Sequence, residues 1–262
     1  VAQLTALQGM IRDFMLGLGL WQAFILVAIG FNAIYFGLAG FTLLMTRRIL
    51  PRFGIGRVID GRRIPPLQIR REVRLSLVSI AVFGAYGSLT LWLDRRGVIE
   101  ILWTYSPWRF LLDMVLLTLW NEVHFYFIHA LLHKPWFYRK VHRLHHLSVV
   151  PTPFSTYSFH WFEAVLLSSV MVLYMAAVPL SMGAIILFPV LSLFMNNIGH
   201  MNYAVFPRLA LNHLFSSCRR HTLHHTHIKG NYGFAFPWFD EGLKTRAARF
   251  DYEAPLEKQA EP

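Results

Sequence analysis

The amino-acid sequence predicts an all-α, multi-pass membrane protein with about four to five transmembrane helices and a histidine-rich helical cap on the cytoplasmic face. Three observations lead there. Of the 262 residues, 55% are hydrophobic, above the roughly 45–50% of ordinary soluble domains. The apolar residues gather into runs close to or above the about 20 residues that cross a bilayer. The charged residues, with a formal net charge of +11, sit in short segments between those runs, the pattern of topology signals rather than of a nucleic-acid-binding surface. No nucleic-acid partner is therefore expected. Cys218 is the only cysteine, which excludes an intrachain disulfide and a thiolate metal site.

Residues 1–19 mix apolar positions with Arg12 and Asp13 and read as an interfacial helix or the lead-in to a span. Residues 20–45 carry no charge and form the first span. Thr46 to Arg74 holds nine arginines against Asp60 and Glu72, so the positive-inside rule places it in the cytoplasm. Its FGIGR stretch lacks the third glycine of a nucleotide fingerprint and reads as a turn. Residues 75–93 lead out and 94–109 form an external connection. A third span over 110–128 contains Asp113, Asn121, Glu122 and His124, polar groups that at membrane depth face a protein interior or a polar cavity. Residues 161–199 are apolar apart from Glu163 and a break from Val178 to Gly183. They predict two spans joined by a turn, or a hairpin that only dips into the bilayer. Counting crossings brings every histidine-bearing segment to the arginine-rich side. One membrane-embedded domain over 1–262 is expected, with 1–120 mainly anchor, 121–245 the histidine region and 246–262 a tail.

All 13 histidines lie between His124 and His227, and the 123 residues before them have none. In HALLH, His129 and His133 are one turn apart on one helix face, where both reach one metal. In HRLHH (His142, His145, His146) and HTLHH (His221, His224, His225), the i and i+3 rings are expected to share a face, with the adjacent histidine about 100° round the helix. Each triplet can then serve two metals. Imidazole ligates iron, zinc and copper, so a histidine-rich two-metal centre is the expectation. His200 and His160, at the ends of apolar runs, are candidates to complete it, His160 either as ligand or as support. His124 is expected to be hydrogen-bonded or to support the centre, and His213 and His227 to lie at the interface or support it.

At these residues the chain resembles the fatty acid hydroxylase/sterol desaturase superfamily of membrane oxygenases. The similarity runs from about Asn121 to Thr245 through EVHFYFIHALLHKPWFYRKVHRLHH, PTPFSTYSFH, GHMNYAVFP and HTLHHTHIKGNYGFAFPWFDEGLKT, and is nearest the C-5 sterol desaturase branch. The resemblance implies two iron ions, with zinc able to substitute in purified protein, and O2 as co-substrate. It implies hydroxylation or desaturation of an unactivated C–H bond in a lipid. The iron ligands would be the three histidine boxes with His200 and His160, while Asp240 and Asn231 would support the last box. Glu122 stands where the family often has aspartate, and Asn196 where some members have a fourth His-x-x-x-His. Ala130 and Trp161 depart from the usual arginine and proline. With no cytochrome-like or flavin-binding segment evident, electrons are expected from a separate ferredoxin or b-type cytochrome with its reductase. The rival reading is a histidine-rich zinc protein acting as a transporter or a hydrolase. HExxH is absent, and transport ligands tend to lie near the bilayer midplane rather than at the ends of spans.

Overall fold

The computed structural model of the chain describes residues 2–104, 106–208 and 214–247. Helix α1 (Ala2–Gly17) ends against Arg95, whose guanidinium donates to the carbonyls of Met15, Leu16 and Leu18 at 3.3, 2.8 and 2.6 Å. A cation on the C-terminal carbonyls is a favourable helix stop. Helix α2 (Leu20–Leu44) runs on through a π-helical turn, Met45–Ile49, to Arg52. Only 11% of its most apolar window is buried, so most of this helix faces outward, as a lipid-facing span does.

Helix α3 (Pro66–Arg95) begins nine residues before the apolar run. Pro66 suits the first helical turn, and charged residues with good helix propensity carry the helix beyond the span. Glu72 on this extension is fully buried, accepting from Gln68 Nε2 at 2.8 Å and Thr152 Oγ1 at 2.6 Å. Along the α2–α3 contact, a Cβ added at Gly87 would lie 2.6 Å from Val27, so a small residue is needed for the two backbones to approach.

Helix α4 (Pro107–Leu132) is longer at both ends than its apolar stretch. It buries Asp113, Asn121, Glu122 and His124 within the protein, as their depth required. Residues 135–146 form the next helical segment, α5, whose middle, Tyr138–His142, is π-helical. A 3-10 turn, Pro153–Tyr157, precedes α6 (Trp161–Met175). Then come α7 (Met182–His200), α8 (Ser217–His227) and α9 (Trp238–Gly242).

Four helices, Leu20–Arg52, Pro66–Arg95, Pro107–Leu132 and Met182–His200, are long and apolar enough to cross a membrane. With 15 residues, α6 reaches only about 22 Å. The α6–α7 hairpin nevertheless extends to the outer end of the bundle. Its turn pairs Leu180–Ser181 in parallel with Ile101–Leu102 of the external connection, Arg109 donates to the Pro179 carbonyl, and Asp113 accepts from the Ser181 amide at 2.9 Å. The hairpin thus runs alongside α4 and reaches the end of it that carries Arg109 and Asp113. At the opposite end, Arg57–Val58 pairs antiparallel with Tyr203–Ala204, tying the arginine-rich loop to the exit of α7. An apolar cluster of Tyr35, Ile80, Tyr157, Phe159, Ala164 and Leu193 joins α2, α3, α6 and α7.

Candidate metal centre

The histidines converge where the inner ends of α4 and α7 meet α5 and α8. One ring nitrogen each from His129, His133, His142, His146 and His224 lies within 4.8 Å of the others, and so do those of His145, His200, His221 and His225. The clusters adjoin: the rings of His145 and His225 are 4.6 Å apart, and those of His146 and His225 4.8 Å.

The pairing inside each box differs from the i, i+3 expectation. In both triplets the first and last histidines, i and i+4, share a cluster, while the middle one serves the other. Residues four apart differ by about 40° round a helix and residues three apart by about 60°, so the i+4 ring stays closer to the same direction. Box two therefore gives two rings to the five-histidine cluster and one to the four-histidine cluster, and box three does the reverse.

The donor set fits a pair of metal ions. Nε2 atoms face each other at 3.1 Å for His133 and His224, 3.1 Å for His142 and His146, 2.9 Å for His200 and His221, and 3.1 Å for His221 and His225. Two nitrogens about 2.0–2.1 Å from one metal, at angles of about 90–110°, would be roughly 2.9–3.4 Å apart. His129 Nε2, on the ring side opposite the nitrogen held by Tyr232, is buried without a hydrogen-bond partner, a cost that coordination would remove.

The outward nitrogens of five rings are held by acceptors. His129 Nδ1 donates to the Tyr232 carbonyl at 2.9 Å, His224 Nδ1 to the Gly230 carbonyl at 2.7 Å, and His145 Nδ1 to the Ser158 carbonyl at 3.4 Å. His142 Nδ1 donates to Glu163 Oε1 at 2.8 Å. His200 Nδ1 donates to Ser155 Oγ at 2.7 Å, since that hydroxyl gives its own proton to the Thr152 carbonyl. These bonds fix a tautomer whose Nε2 lone pair points into the centre. Glu163 and Ser155 were not among the sequence candidates. Glu163's signal is that it is the only acidic residue from 123 to 239.

His160 stands outside both clusters, and its ring caps α6, with Nδ1 accepting from the Phe162 amide at 3.2 Å. His124 is 3.1 Å from Ser169 Oγ and links α4 to α6 rather than backing a cluster ring. His227 closes α8 and is in neither cluster, and His213 lies outside the described residues. Asn196 donates to the Thr156 carbonyl at 3.0 Å, bracing the turn that carries Ser155.

Asp240, Asn231 and Glu122 act through the loop after α8. Asp240 accepts from the amides of Tyr232 and Gly233, both at 2.8 Å, and thereby aims the Tyr232 carbonyl at His129. Asn231 donates to the Arg220 carbonyl at 3.4 Å, and Glu122 accepts from the Ala235 amide at 3.1 Å. Gly230, at φ +78°, would place a Cβ 2.6 Å from the Thr245 carbonyl, so the loop that holds His224 needs glycine there.

Burial holds the His145 ring down to about 3, and His142, His146, His221, His224 and His225 well below 6.5. The neighbouring rings would repel a proton further. In the unfolded chain these groups titrate near 6.5. Above that pH neither state takes up a proton. Below it the unfolded chain binds protons that the folded chain refuses, so stability falls as pH falls toward 3. The thermal unfolding temperature of the metal-free protein should therefore drop between about pH 6.5 and 5 as this histidine contribution is lost. A flat profile down to pH 5 would contradict this.

Two spaces adjoin the centre. A small inner cavity of about 10 Å³ is lined by His129, His142, His145, His200, His221 and Glu163 together with Phe125, Leu132, Phe159 and Leu167. An open cleft of about 430 Å³ on another side is bordered by His133, Tyr138, Arg139, Lys229 and Tyr232.

A family model described as Fatty acid hydroxylase matches residues 114–245. Among curated proteins, the chain is 26% identical to a Delta(7)-sterol 5(6)-desaturase of Aspergillus fumigatus, covering 68% of this chain and 62% of that protein. It is 23% identical to lathosterol oxidase of Homo sapiens, over 72% of this chain and 65% of that one. It is 27% identical to a very-long-chain aldehyde decarbonylase of Oryza sativa, over 70% of this chain but 29% of that one. The chain thus spans less than two thirds of each of these relatives. No solved structure matches.

Proposed function

The chain belongs to the fatty acid hydroxylase family, and from that premise we propose that it is an O2-dependent membrane oxidoreductase with two iron ions, which hydroxylates or desaturates an unactivated C–H bond of a lipid. The observation that carries this reading is the pair of adjoining histidine clusters, five rings and four, with donor spacings suited to two ions. Neutral imidazoles suit iron as they suit zinc, and the desaturase and oxidase names of the relatives point to a redox reaction, which iron can serve and redox-inactive zinc cannot. When bound, the two irons would supply the O2 activation and oxidising power needed to cleave a C–H bond.

The chain's own residues do the rest. The carbonyls of Tyr232, Gly230 and Ser158, with Glu163 and Ser155, hold five rings in one tautomer. Phe125, Leu132, Phe159 and Leu167 form an apolar wall beside the histidines, suited to an aliphatic carbon and to excluding water from it. The space holds about one water-sized species, so a lipid must displace these side chains as it enters. The arginine-rich segment from Arg47 to Arg74 supports placing the centre on the cytoplasmic face. The relatives differ in their named reactions, which is why product rather than family decides between alcohol and alkene.

The test is metal and oxygen stoichiometry on protein purified from iron-replete cells and held in lipid nanodiscs. Two irons per chain, O2 uptake after chemical reduction, and a lipid that has gained one oxygen or lost two hydrogens are expected. A single zinc per chain together with ion flux in vesicles would overturn the proposal.

A further inference from the structure

From residue 123 to 239 the chain carries eight basic residues and one acidic residue, Glu163, and Glu163 is buried. The exposed charge contributed by the described residues of this stretch is therefore cationic. Lys134, Arg139, Lys140, Arg143 and Lys229 are all exposed, and none enters an ion pair among the described residues.

Arg139 and Lys229 both line the open cleft of about 430 Å³. Of the nine cluster histidines, only His133 lines this cleft. Its ring is stacked with Tyr138 at 5.6 Å and lies 4.8 Å from the ring of Tyr232, while its Nε2 is 3.1 Å from that of His224. A continuous path of ring contacts thus leads from a cationic mouth to the five-histidine cluster.

We infer that this cleft is the docking site for an acidic one-electron redox protein, which delivers electrons at the His133 edge of the centre. The inference rests on the oxygenase reading, because that reaction needs external electrons. Hydroxylation takes up two electrons and two protons per O2, one oxygen atom entering the product and one leaving as water. Desaturation takes up the same and releases two waters. A one-electron carrier must therefore dock, be oxidised and leave twice per turnover, which favours a weak, charge-steered contact over a large apolar one. Charge complementarity selects a protein with an acidic face. The concave shape, ending on a ring of the cluster, favours that partner over the flat surface of an anionic membrane.

The test uses the metal-loaded protein in phosphatidylcholine nanodiscs, with two probes: a plant-type [2Fe–2S] ferredoxin and the soluble domain of a cytochrome b5. At low ionic strength at least one probe should bind, and binding should weaken as salt is added. The R139E/K229E protein should bind it at least about tenfold more weakly and accept electrons from its reduced form correspondingly more slowly. R63E, an equal kind of charge reversal on an exposed residue outside the cleft, should change the affinity less than about twofold. Metal content identifies a misfolded variant, and R139Q/K229Q, expected to fall between wild type and R139E/K229E, replaces it in that case.

Failure of both probes to bind, or equal binding by the charge-reversed and wild-type proteins, would overturn the inference. So would a charge effect seen only in affinity for phosphatidylserine vesicles. Failure of the oxygenase reading itself would look different: no lipid product from the wild-type protein even with dithionite and a viologen mediator, while carrier binding kept its dependence on Arg139 and Lys229.

Discussion

His224→Ala is expected to reduce lipid oxidation more than about a hundredfold, beyond the usual effect of losing a residue behind a metal ligand, and to lower the metal bound per chain. His224 is fully buried, its Nε2 lies 3.1 Å from that of His133, and its Nδ1 is anchored on the Gly230 carbonyl at 2.7 Å. Removing the ring takes a donor from the five-histidine cluster and leaves that carbonyl without its partner. His145→Ala should do the same through the four-histidine cluster. His160→Ala provides the contrast. It removes a helix cap, worth about 1 kcal/mol, but touches neither cluster and should keep a full complement of metal. Elemental analysis alongside product formation checks all three, and full metal content with full turnover in His224→Ala would remove the ring from the centre.

The second large effect is expected at Glu163. Its Oε1 accepts from His142 Nδ1 at 2.8 Å, and its Oε2 is buried without a hydrogen-bond partner. Two divalent ions held by neutral imidazoles would bring several positive charges into a buried site, and this carboxylate is the acidic group that contacts a ligand ring. A carboxylate behind a histidine ligand also raises the basicity of the nitrogen facing the metal. Glu163→Gln keeps a carbonyl acceptor for the imidazole N–H and removes the charge. Metal affinity, measured by competition with a chelator, should fall about 10- to 100-fold, with the unfolding temperature of the metal-free protein little changed, because the amide keeps the carbonyl acceptor for His142. Unchanged metal affinity would show that the carboxylate only fills space.

The spans and the three boxes were legible because each is written in a local period. An apolar run announces a crossing, and rings three or four apart announce a shared helix face. The helix ends were less so: α3 starts at Pro66 because polar residues continue a helix as readily as apolar ones, and hydropathy is blind to them. The partition of the boxes needed three dimensions, since His133 meets His224 across 91 residues. The holders of the rings were mostly illegible. Tyr232, Gly230 and Ser158 act through backbone carbonyls, a group every residue carries. His160 misled because its position at a helix start suits a cap as well as a ligand.

The crossed allotment of the boxes has a thermodynamic result. Because α5 and α8 each place rings in both clusters, an ion bound in one cluster would restrain both segments, and a second ion would meet donors already held in place. Such shared ordering is a coupling free energy between two loading events, and it runs equally in reverse. Half-filled protein is then the scarce species, and stripping one ion weakens the hold on the other. Two ions would then be expected to load and leave as a pair.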